Sequence, residues 1–332
     1  MLNALGKITP DLHLTIRTLL PVKKIKERIE LPFDLIEDSS DFGFQMIDAT
    51  KTDYQASAQA YRQAHTGWSN RVTQEAKFLG QLQPDLVLSN VSYLPLAGAN
   101  MAGIPAISIC SLNWADLFVH FFSKEIWAAE IHQQMLEAYH HARPFIRISP
   151  GMPMPSLSQV ETVAPIAKLG QKHDLGTGSD KTVLVALGGV SHHLPINHWP
   201  RLPGIRWLVT RDWEVTHPDA VDFESFGLSF TDLLCSVDAI VTKPGYGTFT
   251  EAACNGTPVI YQRRQDWPEQ DCLISWLHHH VAANEIAEQD LLAGNLATSL
   301  ATVWQQIPLP RPMPSGAETA AQIIQKAFSV DL

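Results

Sequence analysis

Apolar and polar positions along the chain fall into two successive series of strand and helix patterns. The opening, Met1 to Gly6, reads as the last turn of a helix closed by glycine at the C′ position. A period-two alternation follows, with Leu12, Leu14 and Ile16 on one side and His13, Thr15 and Arg17 on the other. Lys51 to Leu82 carries a helical, rather polar period and predicts one long surface helix. Pro84 to Asn90 is nearly continuously apolar, as expected of a strand covered on both faces of a parallel sheet. Leu94 to Ala102 predicts a short helix stopped at Gly103, Ile104 to Ile109 a strand, Ala115 to His141 a long helical stretch, and Phe145 to Ile148 a further strand. Strands alternating with helices indicate right-handed βαβ units.

Prolines 150, 153, 155 and 165 then interrupt any period, and the stretch 149–169 reads as an interdomain linker. A second series begins at Lys181, with strands at 182–187, 205–210, 239–242 and 258–261. Its helices fall at 246–255, 268–279 and 288–306, and a last helix covers 316–328. The pattern predicts an α/β protein of two Rossmann-like domains facing across a cleft: 1–148, then the linker, then 170–312, with 313–332 packing back on the first domain. An α/β domain ordinarily opens on a strand that feeds its first helix. That strand and most of that helix are absent from the pattern, so the expectation is a truncated or misassigned start, or a degenerate form.

Composition narrows the class. A chain of 332 residues suits two α/β domains. Its 45% hydrophobic and 17% charged residues are those of a folded protein. A formal charge of −10 argues against general nucleic-acid binding, which needs clustered Lys and Arg. Cys110, Cys235, Cys254 and Cys272 have no CxxC pairing and read as buried free thiols. With no bilayer-length apolar run and no leader pattern, the expected location is cytoplasmic, with peripheral membrane contact left open.

The strongest chemical signal is Ser236 to Ala252, an apolar strand ending at Lys243 and a turn with Gly245 and Gly247 that opens directly into a helix. Glycines allow close backbone approach, and the N–H groups and dipole of a helix start favour a diphosphate; Lys243 adds a point charge. Thr248-x-x-Glu251 also matches a capping box, which would need no ligand. Two further turns strengthen the binding reading. Val183 to Ser191 is a strand ending in Gly188-Gly189, and Tyr261 to Gln270 is a polar loop after another strand, in which Asp266 could serve only as a helix cap. Ligands of open α/β sheets collect at the carboxyl ends of strands, where such turns meet.

A GGxS-type turn, a strand running into S/K-x-G-x-x-T-x-x-E and a closing polar loop resemble the C-terminal domain of GT-B glycosyltransferases, including the N-acetylglucosaminyltransferases of peptidoglycan lipid intermediates. A closer resemblance is to the glycosyltransferase-like N-terminal region of plant L-arabinokinases. It runs from about Phe42 to about Trp276 through Gln83 to Asn90, Asn113-Trp114-Ala115-Asp116, Phe145 to Ile148, Met152 to Pro155, Lys243 to Thr248 and Arg263-Arg264. The resemblance implies a UDP-sugar donor and inverting, metal-independent transfer of a hexosyl or N-acetylhexosaminyl group to an unknown acceptor, with no cofactor. It implies that Gly245, Tyr246, Gly247 and Thr248 cradle the donor diphosphate with Lys243 and Arg263 nearby, and that Glu251 holds the ribose. Asp266, Glu269 and Gln270 would contact the donor sugar, and Gly188 and Gly189 would line the site. The family's N-terminal domain opens on a glycine-rich G-x-G-H loop that this sequence does not match, so no catalytic base carries over.

Among residues that could replace that base, Asp116 lies beyond a strand's carboxyl end, though capping the following helix is the favoured role. His13 alternates along a strand, and Asp48 is a loop residue with no distinguishing neighbours. The runs His140-His141, His192-His193 and His278-His279-His280 lack H-x-x-x-H spacing, so no metal site is expected. No G-x-S-x-G elbow is present. Two alternatives stand beside a glycosyltransferase: a nucleotide-sugar-binding regulatory module without turnover, and a nucleotide-sugar hydrolase or epimerase on the same fold.

Overall fold

The computed structural model describes residues 1–188 and 193–330 and divides the chain into two compact units. The first comprises 1–45, 53–166 and 315–332; the second comprises 46–52 and 167–314.

In the first unit, α1 (Leu2–Ile8), β1 (Thr15–Arg17), α2 (Val22–Lys26), β2 (Asp34–Ile36), α3 (Tyr54–His65), α4 (Trp68–Leu82), β3 (Val87–Ser89), α5 (Leu94–Ala102), β4 (Ala106–Cys110), α6 (Trp114–Phe122), α7 (Ala128–His140), β5 (Phe145–Ile148) and β6 (Val160–Val163) follow in order. All strand pairings are parallel, in two pieces: β1 with β2, and a four-stranded sheet in the order β3-β4-β5-β6. The proline-rich stretch 149–169 thus contributes β6, a sheet strand. The helix Gly316–Val330 packs on α1, and Ala4 and Leu5 share a core with Ala320, Ala321, Ile324 and Ile107.

Helix ends depart from the sequence expectation wherever one residue breaks a long apolar period. Gly6 lies inside α1 instead of ending it, and a Cβ there would stand 2.6 Å from the Leu31 side chain. The single helix expected over 51–82 is two, interrupted at Gly67, whose φ of +69° is left-handed. The stretch 115–141 likewise divides into α6 and α7.

In the second unit, β7 (Lys181–Val185), β8 (Ile205–Val209), β9 (Ala220–Asp222), α8 (Phe230–Ser236), β10 (Ala239–Thr242), α9 (Tyr246–Asn255), β11 (Val259–Tyr261), α10 (Gln270–His280), β12 (Ala283–Glu285), α11 (Glu288–Ala293) and α12 (Ala297–Gln305) build one six-stranded parallel sheet in the order β12-β11-β10-β7-β8-β9. Successive residues point to opposite faces: Val183, Val185 and Val241 join one core with Trp207 and Ala49, whereas Leu184, Ile240 and Phe249 join the other. The helix expected over 288–306 is interrupted at Gly294. Of the four thiols expected to be buried, Cys254 is buried and the other three are half-buried; none is in a disulfide among the described residues. Among the described residues, no helix is long and apolar enough to cross a membrane.

Candidate functional site

The strand order of the second unit fixes where a ligand can sit. From β7 the chain moves outward to β8 and β9, and from β10 it moves the other way to β11 and β12, so β7 and β10 flank the topological switch point. The turns leaving these two strands carry Gly188 and the Lys243-Pro244-Gly245 segment. Gly188 has φ +87°, and a Cβ built on it would lie 3.6 Å from the Lys243 ammonium nitrogen. Gly189 lies outside the described residues.

Helix α9 starts at Tyr246 with Gly245 as N-cap, and its first intrahelical bond runs from the Phe249 N–H to the Gly245 carbonyl at 3.0 Å. This start corrects the capping-box alternative. Thr248 is the third residue inside the helix and Glu251 the sixth, so Thr248 is not the N-cap and Glu251 is not at the third position, as a capping box requires. Gly245 has no side chain with which to cap the first turn, whose N–H groups have no acceptor within the helix. Glu251 is buried in the second turn, where its carbonyl accepts from Asn255 Nδ2 at 2.8 Å.

Two cations, Lys243 after β10 and Arg264 after β11, act on one another. Burial, followed by repulsion from Arg264, lowers the Lys243 ammonium to about 8. Burial also lowers the Arg264 guanidinium to about 10, against the opposing pull of Glu269. The Arg264 guanidinium stacks 3.8 Å over the Trp267 ring. Its Nη2 lies 3.8 Å from Met46 Sδ, and its buried Nε has no hydrogen-bond partner among the described residues. A buried guanidinium nitrogen left without an acceptor is costly unless an anion supplies one.

Arg263 pairs with Asp271 at 2.6 Å and Glu285 at 3.0 Å, whereas Arg264 is the arginine whose charge acts on Lys243. Both ends of the Gln270 amide hold the Arg264 main chain, accepting from its N–H at 2.9 Å and donating to its carbonyl at 3.0 Å, which leaves Gln270 a positioning role. Glu269 is buried and accepts from Trp267 Nε1 at 3.2 Å. Asp266 is exposed with φ +45°, and the N-cap of α10 is Glu269, so Asp266 does not cap that helix.

Sequence reasoning missed the segment 46–52, which belongs to the second unit although it lies early in the chain. Ala49 is 1% exposed in the core beside Val185, Leu187 and Ile260. The Thr50 carbonyl accepts from the Gln265 N–H at 2.9 Å, and Lys51 pairs with Glu288 at 3.3 Å. Asp48 Oδ1 accepts from Thr50 N, Thr50 Oγ1 and Lys51 N, so it shapes this turn. The only local signal was that Asp-x-Thr turn, which says nothing about a distant partner.

In the first unit Asp116 is part of the α6 cap. Asn113 is the N-cap: its Oδ1 accepts from the Asp116 N–H at 2.8 Å, and its Nδ2 donates to Asp116 Oδ2 at 2.7 Å. The carboxylate that stands out is Asp41, which sequence reasoning passed over. Its Oδ2 accepts from Trp114 Nε1 at 2.9 Å and its Oδ1 from the Gly43 N–H at 3.1 Å. Burial raises its pKa, partly offset by these donors. Among the described residues, no cluster of three or more His, Cys, Asp or Glu side chains is placed to hold a metal ion.

Parallel sheets in two α/β units, with a glycine-bordered helix start at the switch point of the second, give the chain the fold of GT-B glycosyltransferases. A solved glycosyltransferase of kitacinnamycin superposes with a TM-score of 0.63 over 98% of this chain and 90% of its own, at 13% identity. A putative UDP-N-acetylglucosamine 2-epimerase from Listeria monocytogenes superposes at 0.57 over 99% and 92%, at 12% identity. By sequence, the chain is 25% identical over 301 residues to L-arabinokinase of Arabidopsis thaliana, which covers 86% of this chain. The chain spans 28% of that relative's length. No protein-family model matches.

Proposed function

We propose that the chain is a nucleotide-sugar-dependent glycosyltransferase, inverting and metal-independent, whose second unit binds a UDP-sugar and whose first unit binds the acceptor. The observation that carries this reading is the pair of half-buried cations, Lys243 before α9 and Arg264 acting on it, with the buried Arg264 Nε unpartnered among the described residues. A diphosphate suits that arrangement: helix-start N–H groups, an ammonium and a guanidinium supply donors and positive charge together. The same groups stabilise the departing diphosphate as its bond to the anomeric carbon breaks. Charge stabilisation from the protein's own donors is the basis for the metal-independent reading. Glu251 on α9 is assigned to the ribose hydroxyls and Asp266 to the donor sugar, and the strained backbone at Asp266 supports a functional role.

Similarity to the 2-epimerase favours a second reading, chemistry on the nucleotide-sugar itself without an acceptor. One assay separates the two. The protein is incubated with a panel of UDP-sugars, with and without monosaccharide acceptors and with EDTA, and UDP release is followed. The proposal expects acceptor-dependent release that EDTA leaves unchanged. UDP release or sugar isomerisation independent of any acceptor supports the second reading, and no reaction with any panel member overturns both.

A further inference from the structure

We propose that residues 18–26 dock the protein on membranes that carry anionic lipids. Leu19 and Leu20 enter the headgroup boundary, and Lys23, Lys24 and Lys26 meet the lipid charge. The inference concerns a surface of the first unit alone and goes beyond the transferase reading.

The segment between β1 and α2 is built to project. At the end of β1 the Thr18 N–H donates to the Ile36 carbonyl at 3.0 Å, and the Leu20 N–H donates to Thr18 Oγ1 at 3.2 Å. Pro21 is the N-cap of α2, and its carbonyl accepts from the Lys24 N–H at 2.8 Å. Ile25, 6% exposed, anchors the turn in the unit. Local bonds and one anchor thus hold out a tip at which Leu19 is 71% exposed, Leu20 61% and Val22 44%, with Pro21 exposed between them. Apolar surface left in water costs free energy in proportion to its area, and exposed apolar side chains that adjoin one another mark a contact surface.

Charge beside the tip identifies what it meets. With Ile25 turned inward, the helical period places Lys23 opposite it and Lys24 and Lys26 to either side, and all three are exposed. Lys24 shares its charge with Glu27 at 3.4 Å, whereas Lys23 and Lys26 pair with no carboxylate among the described residues. Residues 19–27 therefore carry three cations and one carboxylate in a chain whose net charge is −10, a local reversal of sign. Lysine stems lie along apolar surface while their ammonium groups stay in water. That arrangement lets apolar side chains enter a bilayer interface while the cations remain at the anionic headgroups. A second copy of the chain fits less well. A stable protein interface covers about 800 Å² and roughly 20–30 residues on each partner, whereas the exposed apolar run here is Leu19 to Val22. A few inserted side chains and neighbouring cations suffice for reversible attachment to a bilayer.

The test is co-sedimentation of the whole chain with vesicles of phosphatidylcholine alone and of phosphatidylcholine mixed with phosphatidylserine, at low and high salt. We expect saturable binding to the mixed vesicles that salt weakens, and none to phosphatidylcholine alone. Leu19→Ser/Leu20→Ser and Lys23→Gln/Lys24→Gln/Lys26→Gln should each weaken binding by about tenfold or more, each lysine alone contributing about fivefold. Ile126→Ser removes a 99% exposed apolar side chain elsewhere in the first unit and should leave binding within about twofold. The replaced side chains are exposed, so the variants should melt as wild type does. Absence of binding to the mixed vesicles, equal binding to both kinds, or binding that the loop variants leave unchanged overturns the inference. Sedimentation velocity covers the rival occupant. Self-association abolished by Leu19→Ser/Leu20→Ser, without vesicle binding, assigns the tip to a second copy and overturns the inference as well.

Discussion

Gly188 and Lys243 meet at the switch point of the second sheet, with the lysine ammonium 3.6 Å from the position a Gly188 Cβ would take. The space alone would admit a methyl group. The backbone would not, because φ +87° is a conformation that side chains disfavour. Gly188→Ala should therefore lower unfolding stability by about 1 kcal/mol and weaken UDP binding by shifting the backbone of this turn. Chemical denaturation and calorimetry check the two effects separately, and unchanged values in both would show that the turn has no special role.

The Lys243 ammonium predicts how binding follows pH. Its folded pKa, about 8, lies below its ordinary value of 10.5. A bound diphosphate favours the protonated form, so UDP affinity should fall as pH rises above about 8, by up to about tenfold per unit for one linked proton. In the ligand-free protein the sign is opposite. The folded state holds fewer protons than the unfolded chain between the two values, so stability rises with pH across that window. Below it, Lys243→Met should be more stable than wild type by about 1–3 kcal/mol, while binding UDP less tightly and without this pH dependence. Calorimetric titrations and melts at neutral and alkaline pH supply both readings.

Neighbouring arginines should behave differently. Arg264→Met removes a half-buried cation whose buried Nε is unpartnered among the described residues, and should cost UDP binding about 1.5–3 kcal/mol, the range for hydrogen bonds to charged groups. Arg263→Met removes only half-exposed ion pairs to Asp271 and Glu285, and should leave UDP affinity within about twofold, with a stability change under about 1 kcal/mol. Equal losses in the two variants would contradict the assignment.

His65 sets an acid limit on the first unit. It is buried between Gln134, at 2.6 Å, and the Tyr93 hydroxyl, at 2.8 Å. Burial lowers its pKa from 6.5 to about 4, assisted by Arg71 and opposed by the Gln134 hydrogen bond. The unfolded chain takes up a proton that the folded unit refuses, so stability present above pH 6.5 is lost as pH falls toward 4. The full loss is on the order of 3 kcal/mol. Melting His65→Gln and wild type at pH 7 and pH 5 should show a smaller decrease for the variant.

Sequence periodicity made the parallel sheets and helix α9 legible because buried strands are continuously apolar and a glycine pair marks the turn between them. It misplaced helix ends at Gly6, Gly67 and Gly294, where tertiary packing or one left-handed residue decides the boundary. The candidate site was legible as far as one chain segment carries it: Gly188, Lys243 and Gly245 come together as the βα turns imply. Arg264 was not separable from Arg263 by sequence, since both are arginines in one loop and only the fold turns one toward Glu285. The segment 46–52 and Asp41 were invisible for a different reason. The first depends on a long-range placement in a core, and the second on an indole N–H supplied by another helix.

The most direct test of the donor site is calorimetric titration of UDP into wild type and into the double variant Lys243→Met/Arg264→Met at neutral pH. The account predicts saturable one-to-one binding to wild type, lost in a double variant that still melts cooperatively. Absence of saturable binding to wild type, or equal affinity in the double variant, would contradict it.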